Sequence, residues 1–151
     1  MPQNFKAILF DMDGLMVNTE DISHEAFMLA CSKLGGTFTK EIHAKILGTR
    51  SDYWSTVVAQ DSMVDASSVE LRDLYRSIYS ELIPQRINMM PGLEEFIEWA
   101  EEQMLKIAVV TSSTSESLER NLNAIGLRDR FDVVVTAESI QNGKPAPDPY
   151  L

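Results

Sequence analysis

"ILFDMDGLMVNTE", residues 8–20, runs four apolar residues straight into two aspartates separated by one methionine, and continues through Gly14 to Thr19. The first part of that run, "AILF" at 7–10, shows no alternation of apolar and polar residues. That is the pattern of a short strand covered on both faces. Two similar runs follow much later, "IAVV" at 107–110 and "VVV" at 133–135, each preceded by a helical pattern. The helix before the second run begins at "PGLEEF" with Pro91 near its first turn and an apolar face of Leu93, Phe96, Ile97 and Ala100. The helix before the third begins near Ser113 and Glu116, spaced as a capping box, and shows Leu118, Leu122 and Ile125. Strand, helix, strand, helix, strand predicts an α/β fold with a Rossmann-like, doubly wound parallel sheet.

About seventy residues separate the first strand from the helix at 91, far more than a simple crossover needs. They read as helical. Ile22, Ala26, Phe27, Leu29, Ala30 and Leu34 form one amphipathic segment, and Leu71, Leu74, Tyr75, Ile78, Tyr79, Leu82 and Ile83 form a second at i, i+3, i+4 spacing. Shorter helices are expected around 40–47 and 52–60. The expected organisation is therefore a core of residues 1–15 and 89–151 with an all-helical cap, 16–88, inserted directly after the two aspartates as a lid over them.

The composition narrows the function classes. Of 151 residues, 44% are hydrophobic and 24% charged, and the formal net charge is −10 with no Lys/Arg cluster to offset it. This argues against nucleic acid or an anionic membrane surface as partner. No apolar run reaches membrane-spanning length and the opening "MPQNFK" is no signal peptide, so a cytoplasmic protein is expected. The one cysteine, Cys31, excludes an internal disulfide; its helical spacing with Phe27, Ala30 and Leu34 makes it a small buried hydrophobe rather than a nucleophile.

In an open parallel sheet, ligands bind beyond the carboxyl ends of the strands. Here the first strand ends in Asp11 and Asp13, the second in Thr111 and Ser112, and the segment after the third reaches "NGKPAPDPYL" with Lys144. A carboxylate nucleophile suits phosphoryl transfer, because an aspartyl phosphate forms and hydrolyses readily. A second carboxyl group two residues on can protonate the leaving oxygen and then deprotonate the attacking water. Two carboxylates meeting phosphate oxygens repel unless neutralised, which calls for a hard divalent ion such as Mg²⁺ at Asp11 and Asp13. Thr111 and Ser112, where a strand gives way to a helix, could hold phosphate oxygens, whereas N-capping is the better reading of Ser113. The ammonium of Lys144 could neutralise the nucleophile and the developing charge.

These residues resemble the haloacid dehalogenase superfamily of phosphohydrolases, in the subgroup with a small helical cap. "DMDGLMVNTE" looks like its first motif, "VVTSS" its second and "GKPAPDPY" its third, in order, across the whole chain. The resemblance implies that Asp11 is the phosphoryl-accepting nucleophile, that Asp13 is the acid/base whose backbone carbonyl also binds Mg²⁺, that Thr111 with Ser112 holds the phosphate, and that Lys144 balances charge. Dehalogenating members lack the second aspartate, so Asp13 argues for phosphate chemistry. The implied function is Mg²⁺-dependent hydrolysis of a small phosphate monoester, of sugar-phosphate or nucleotide-like type.

The chain also departs from the pattern. Asn18 stands where relatives commonly carry Asp, which would alter hydrogen bonding at the cap hinge. Ser23 occupies the position of a histidine that assists the acid/base in the β-phosphoglucomutase branch, with His24 one place later; a phosphatase is favoured over a mutase. The family's fourth motif, an acidic pair on the next strand, would lie past Leu151. The expectation is a fragment of a longer enzyme, its sheet incomplete at the C-terminus and its first strand an exposed edge through which the chain would self-associate. An inert binding module is the alternative of another class. In "LGTRSDYW", Arg50 resembles a substrate-facing cap-loop residue that could grip a second anionic group, and Tyr53 and Trp54 are expected to pack the cap.

Overall fold

The computed structural model describes residues 5–47, 49 and 51–151. The chain divides into two compact units, one running to Thr19 and resuming at Ile87, the other Glu20–Arg86. The first contains strands β1 (Ala7–Phe10), β2 (Lys106–Val110) and β3 (Val133–Val135), with helices α5 (Leu93–Glu102) and α6 (Ser115–Ala124). The second contains α2 (Lys40–Ile46), α3 (Ser51–Asp61), α4 (Ser68–Arg86) and nearly all of α1 (Thr19–Lys33).

The three strands pair in parallel in the order β1-β2-β3, Leu9 opposite Ala108 and Val109 opposite Val134. Both helical crossovers bury an apolar stripe. Leu93 and Ile97 of α5 and Leu118 and Leu122 of α6 meet Phe10, Val109, Leu127 and Phe131 in one core. Phe10 stands edge-on to both Phe96 and Phe131, with ring centroids 5.9 Å apart in each pair, a favoured aromatic geometry.

Three local expectations change. Burial alternates along β1, with Leu9 48% exposed and Phe10 buried, so the run at 7–10 is covered on one face only, and among the described residues β1 pairs with β2 alone in this sheet. Helix α5 starts after Pro91, because Gly92 takes the left-handed conformation at its N-cap (φ +81°) and turns the chain into the helix. Helix α6 is capped by Thr114, whose Oγ1 accepts the Ser117 N–H at 3.3 Å; the serine-threonine run offers several capping hydroxyls, and the cap settles one residue past Ser113.

The division between the units also differs from the expected 16–88. Met16 and Val17 are fully buried in the α/β core. Val17 bridges to Asp13 on one side and Met89 on the other. Asn18 accepts the Asn88 N–H on Oδ1 at 2.7 Å and donates its own N–H to the Asn88 carbonyl at 3.2 Å. The outgoing and returning segments are thus pinned as a short ribbon inside the α/β unit.

The helical unit has a separate core built on rings. Phe27 stacks on Tyr75 (4.0 Å) and on Phe38 (4.9 Å), and Trp54 meets Phe27 and Tyr75 edge-on at 5.1 and 5.0 Å. Trp54 packs as expected, whereas Tyr53 is 55% exposed. Cys31 is buried in this core and burial pushes its thiol pKa up, which keeps it a protonated, unreactive side chain. No helix among the described residues is long and apolar enough to cross a membrane.

Candidate active site

The turn after β1 places the two aspartates. Gly14, at φ +75°, reverses the chain so that its N–H reaches the Val17 carbonyl at 2.9 Å, while the Met16 N–H reaches the Met12 carbonyl at 2.9 Å. Met12, fully buried, anchors the turn in the core. Asp11 and Asp13 flank it, one exposed and one half-buried. Adjacent residues of an extended segment point oppositely and alternate residues point alike. One buried methionine between them therefore turns both carboxylates to the polar side.

Asp11 has one oxygen engaged. Its Oδ1 accepts the Met12 N–H at 2.9 Å and lies 3.0 Å from the Lys144 ammonium. Lys144 is itself fixed, donating to the Val110 carbonyl at the end of β2 at 2.9 Å and lying 5.8 Å from the centre of the Tyr150 ring. A lysine that reaches this site from the far end of the chain, only 24% exposed, differs from a solvated surface lysine. Asp11 opens on a groove of about 510 Å³ whose walls include Leu9, Leu15, Phe96 and Tyr150.

Asp13 is held differently, by three hydroxyls. Thr19 donates to Oδ1 at 2.9 Å; Thr111 and Ser113 donate to Oδ2 at 3.2 and 2.7 Å. Thr111 is buried, 1% exposed, and its N–H bonds the Val135 carbonyl at 2.9 Å, so β3 fixes it at the end of β2. Ser112 is exposed.

Asp11, Asp13, Thr111 and Lys144 are thus brought together. The expectation that Ser113 serves as an N-cap is corrected, since its hydroxyl goes to Asp13 and Thr114 does the capping. Thr19 was not anticipated, and the only sequence signal for it is its place six residues after Asp13 at the start of a helix. Arg50 lies outside the described residues. In the helical unit, Ser23 shares a 2.9 Å hydrogen bond with the Tyr75 hydroxyl, and the His24 ring lies 4.9 Å from His43 and 5.4 Å from Phe38.

The donor set bears on a metal. Among the described residues no group of three or more His, Cys, Asp or Glu gathers as a cation cage. Mg²⁺ does not need one, because it is commonly bound through one or two carboxylates with water and substrate phosphate completing its shell. The exposed Asp11 carboxylate suits that role; three hydroxyls already occupy the Asp13 side chain, leaving its main-chain carbonyl as the donor the resemblance implies.

The chain is similar to known proteins in both sequence and fold. The chain is 30% identical over 152 residues to the phosphorylated carbohydrates phosphatase of Thermotoga maritima, covering 97% of this chain and 68% of that one. It is 29% identical over 155 residues to hexitol phosphatase B of Escherichia coli, at 99% and 68% coverage. The fold matches the crystal structure of β-phosphoglucomutase from Clostridium difficile with a TM-score of 0.74 at 19% identity, over 97% of this chain and 68% of that one. The chain thus spans about two thirds of each of these proteins. The model of the haloacid dehalogenase-like hydrolase family matches residues 8–151, which take in both aspartates, the hydroxyl run and Lys144, and the chain belongs to that family of enzymes.

Proposed function

We propose that the protein hydrolyses phosphate monoesters of small carbohydrates through a phosphoryl group carried on Asp11. The observation that carries this reading is the 3.0 Å pair of Lys144 with Asp11, two residues from a second carboxylate bound by hydroxyls. The names of the two phosphatase relatives support the substrate class.

In the first half-reaction a carboxylate oxygen of Asp11 attacks phosphorus. The bond from phosphorus to the leaving oxygen breaks, and that oxygen takes a proton from Asp13. In the second, water attacks the same phosphorus, the bond to Asp11 breaks, and the water proton returns to Asp13. Lys144 holds positive charge beside Asp11 throughout, so the carboxylate can approach an anionic ester and the extra charge of the transition state is compensated. Ser112, exposed at the end of β2, offers a hydroxyl to a phosphoryl oxygen, while Thr111 contributes by holding Asp13. Asp11 and Asp13 would hold Mg²⁺, which when bound neutralises phosphoryl oxygens facing the two carboxylates. A mutase reading is less favoured, because Ser23 is bonded to Tyr75 and the His24 ring is packed among Phe38 and His43.

The test is Mg²⁺-dependent phosphate release from a panel of hexose, pentose and hexitol phosphates, with Asp11→Asn as control. Release should fall on the order of 10⁴-fold in the variant. Release that survives Asp11→Asn, or none from a wild-type chain with folded circular dichroism, would sink the hydrolase reading. An isomerised sugar phosphate as product would replace it with the mutase.

A further inference from the structure

The hydroxyl groups around Asp13 are arranged unequally, and the inequality has a use. An ionised carboxylate offers about four lone-pair sites. Thr111 and Ser113 fill both sites of Oδ2, and Thr19 fills one of Oδ1. The remaining site is on Oδ1.

Ser113 makes the shortest of the three contacts, at 2.7 Å. Its backbone is fixed on both sides. The Ser113 N–H donates to Thr111 Oγ1 at 3.0 Å, and its carbonyl accepts the Ala137 N–H at 3.0 Å. The first bond also directs a Thr111 lone pair at Ser113, leaving the Thr111 hydroxyl proton for Asp13. The two side chains form one unit: the Ser113 amide orients Thr111, and both hydroxyls then close Oδ2.

We propose that Ser113 is a positioning residue that, with Thr111, closes Oδ2 of Asp13 and so makes Oδ1 the oxygen that meets the reacting group. This rests on the phosphohydrolase reading given above. Lone-pair counting supports it: a carboxylic acid carrying its proton on Oδ1 still accepts all three hydroxyls, whereas a proton on Oδ2 would displace one of them. Ser113 keeps its own proton throughout. Without it, Oδ2 regains a free site and the carboxylate can turn.

The experiment compares wild type, Ser113→Ala and Ser113→Thr, the last restoring a hydroxyl. For phosphate release, Ser113→Ala should lower kcat about tenfold with KM within about twofold, as expected for one hydrogen bond to a charged group, and Ser113→Thr should recover most of the loss. An unchanged kcat in Ser113→Ala, or an equal loss in Ser113→Thr, overturns the proposal. A second readout needs no turnover. In crystal structures of the three proteins, the Asp13 carboxylate should keep one χ2 orientation in wild type and Ser113→Thr and be rotated or split between two in Ser113→Ala; the same orientation in all three overturns the proposal. A wild-type chain that releases no phosphate would count against the hydrolase reading alone, since the orientation of the Asp13 carboxylate still decides what Ser113 does.

Discussion

The two units of this chain deal with polar groups in opposite ways. The α/β unit gathers them at the carboxyl ends of its strands, where Asp11 pairs with Lys144, and Asp13 with Thr111 and Ser113, beside a largely aliphatic core. The helical unit sets half-buried polar groups against an aromatic core, where the Tyr75 hydroxyl meets Ser23 and His24 lies against Phe38 and His43 with its Nδ1 buried and without a partner. A strand end leaves backbone and side chains free to converge on a ligand, whereas a helix satisfies its backbone internally and offers side chains mostly for packing. The candidate site therefore lies in the first unit, and the second should respond to substitution mainly through its stability.

Four measurements can break or sharpen that contrast. The chain has two tryptophans, Trp54 in the helical unit and Trp99 in the α/β unit, so single-tryptophan variants report each unit separately. Phe27→Ala removes the ring shared by the stacks with Phe38 and Tyr75 and should destabilise the helical unit by about 3–5 kcal/mol, seen as a lower denaturant midpoint for Trp54. An equal fall for Trp99 would show that the units do not unfold separately. Gly36→Ala should come next. A methyl group there would run into the Ser62 carbonyl oxygen and lie 2.6 Å from a Val64 methyl, and such overpacking destabilises by about 1–3 kcal/mol. Thr114→Ala removes the α6 cap at a cost of about 1 kcal/mol and should register at Trp99 while leaving Trp54 unmoved.

The smallest effect is one of pH. Burial, and then the neighbouring His24, hold the His43 pKa below the ordinary histidine value, opposed by the Asp21 charge; Glu20 lies 3.8 Å from its Nε2. A depressed folded value means that the unfolded chain takes the proton more readily. The helical unit should keep its full stability above about pH 6.5 and lose some as the pH falls from there, until the folded imidazole also protonates. Unfolding midpoints of Trp54 from pH 8 to 5.5 should show this slope in wild type and a flatter one in His43→Gln. Equal slopes would assign the effect to other groups.

What the sequence made legible depended on the range over which each feature is set. Strand runs, amphipathic helices and the chain order of Asp11, Asp13, Thr111 and Lys144 follow from local pattern together with the rule that parallel strands bring their carboxyl ends to one side. The partners of Asp13 did not follow. "TSST" at 111–114 offers four hydroxyls in succession, and which one caps α6 is decided by where β3 fixes Thr111, a pairing invisible in a window around the run. The tilted contact of His24 with His43 joins two helices whose local patterns are silent about their packing. Tyr53 is exposed although its neighbour Trp54 is packed, because adjacent helical residues project about 100° apart and only one of the pair can face the core.

The ribbon of Val17 and Asn18 with Asn88 and Met89 has a consequence for how the chain could have acquired its second unit. Loop-closure entropy is set by bringing two ends together and grows only slowly with the length between them. Here the α/β unit holds those ends side by side through its own backbone bonds, so the folding of the core is largely indifferent to the length and identity of what is threaded between them. Residues 20–86 can be exchanged, lengthened or rebuilt without re-deriving the turn that carries Asp11 and Asp13, and a new ligand preference can arise in a segment whose ends are already fixed.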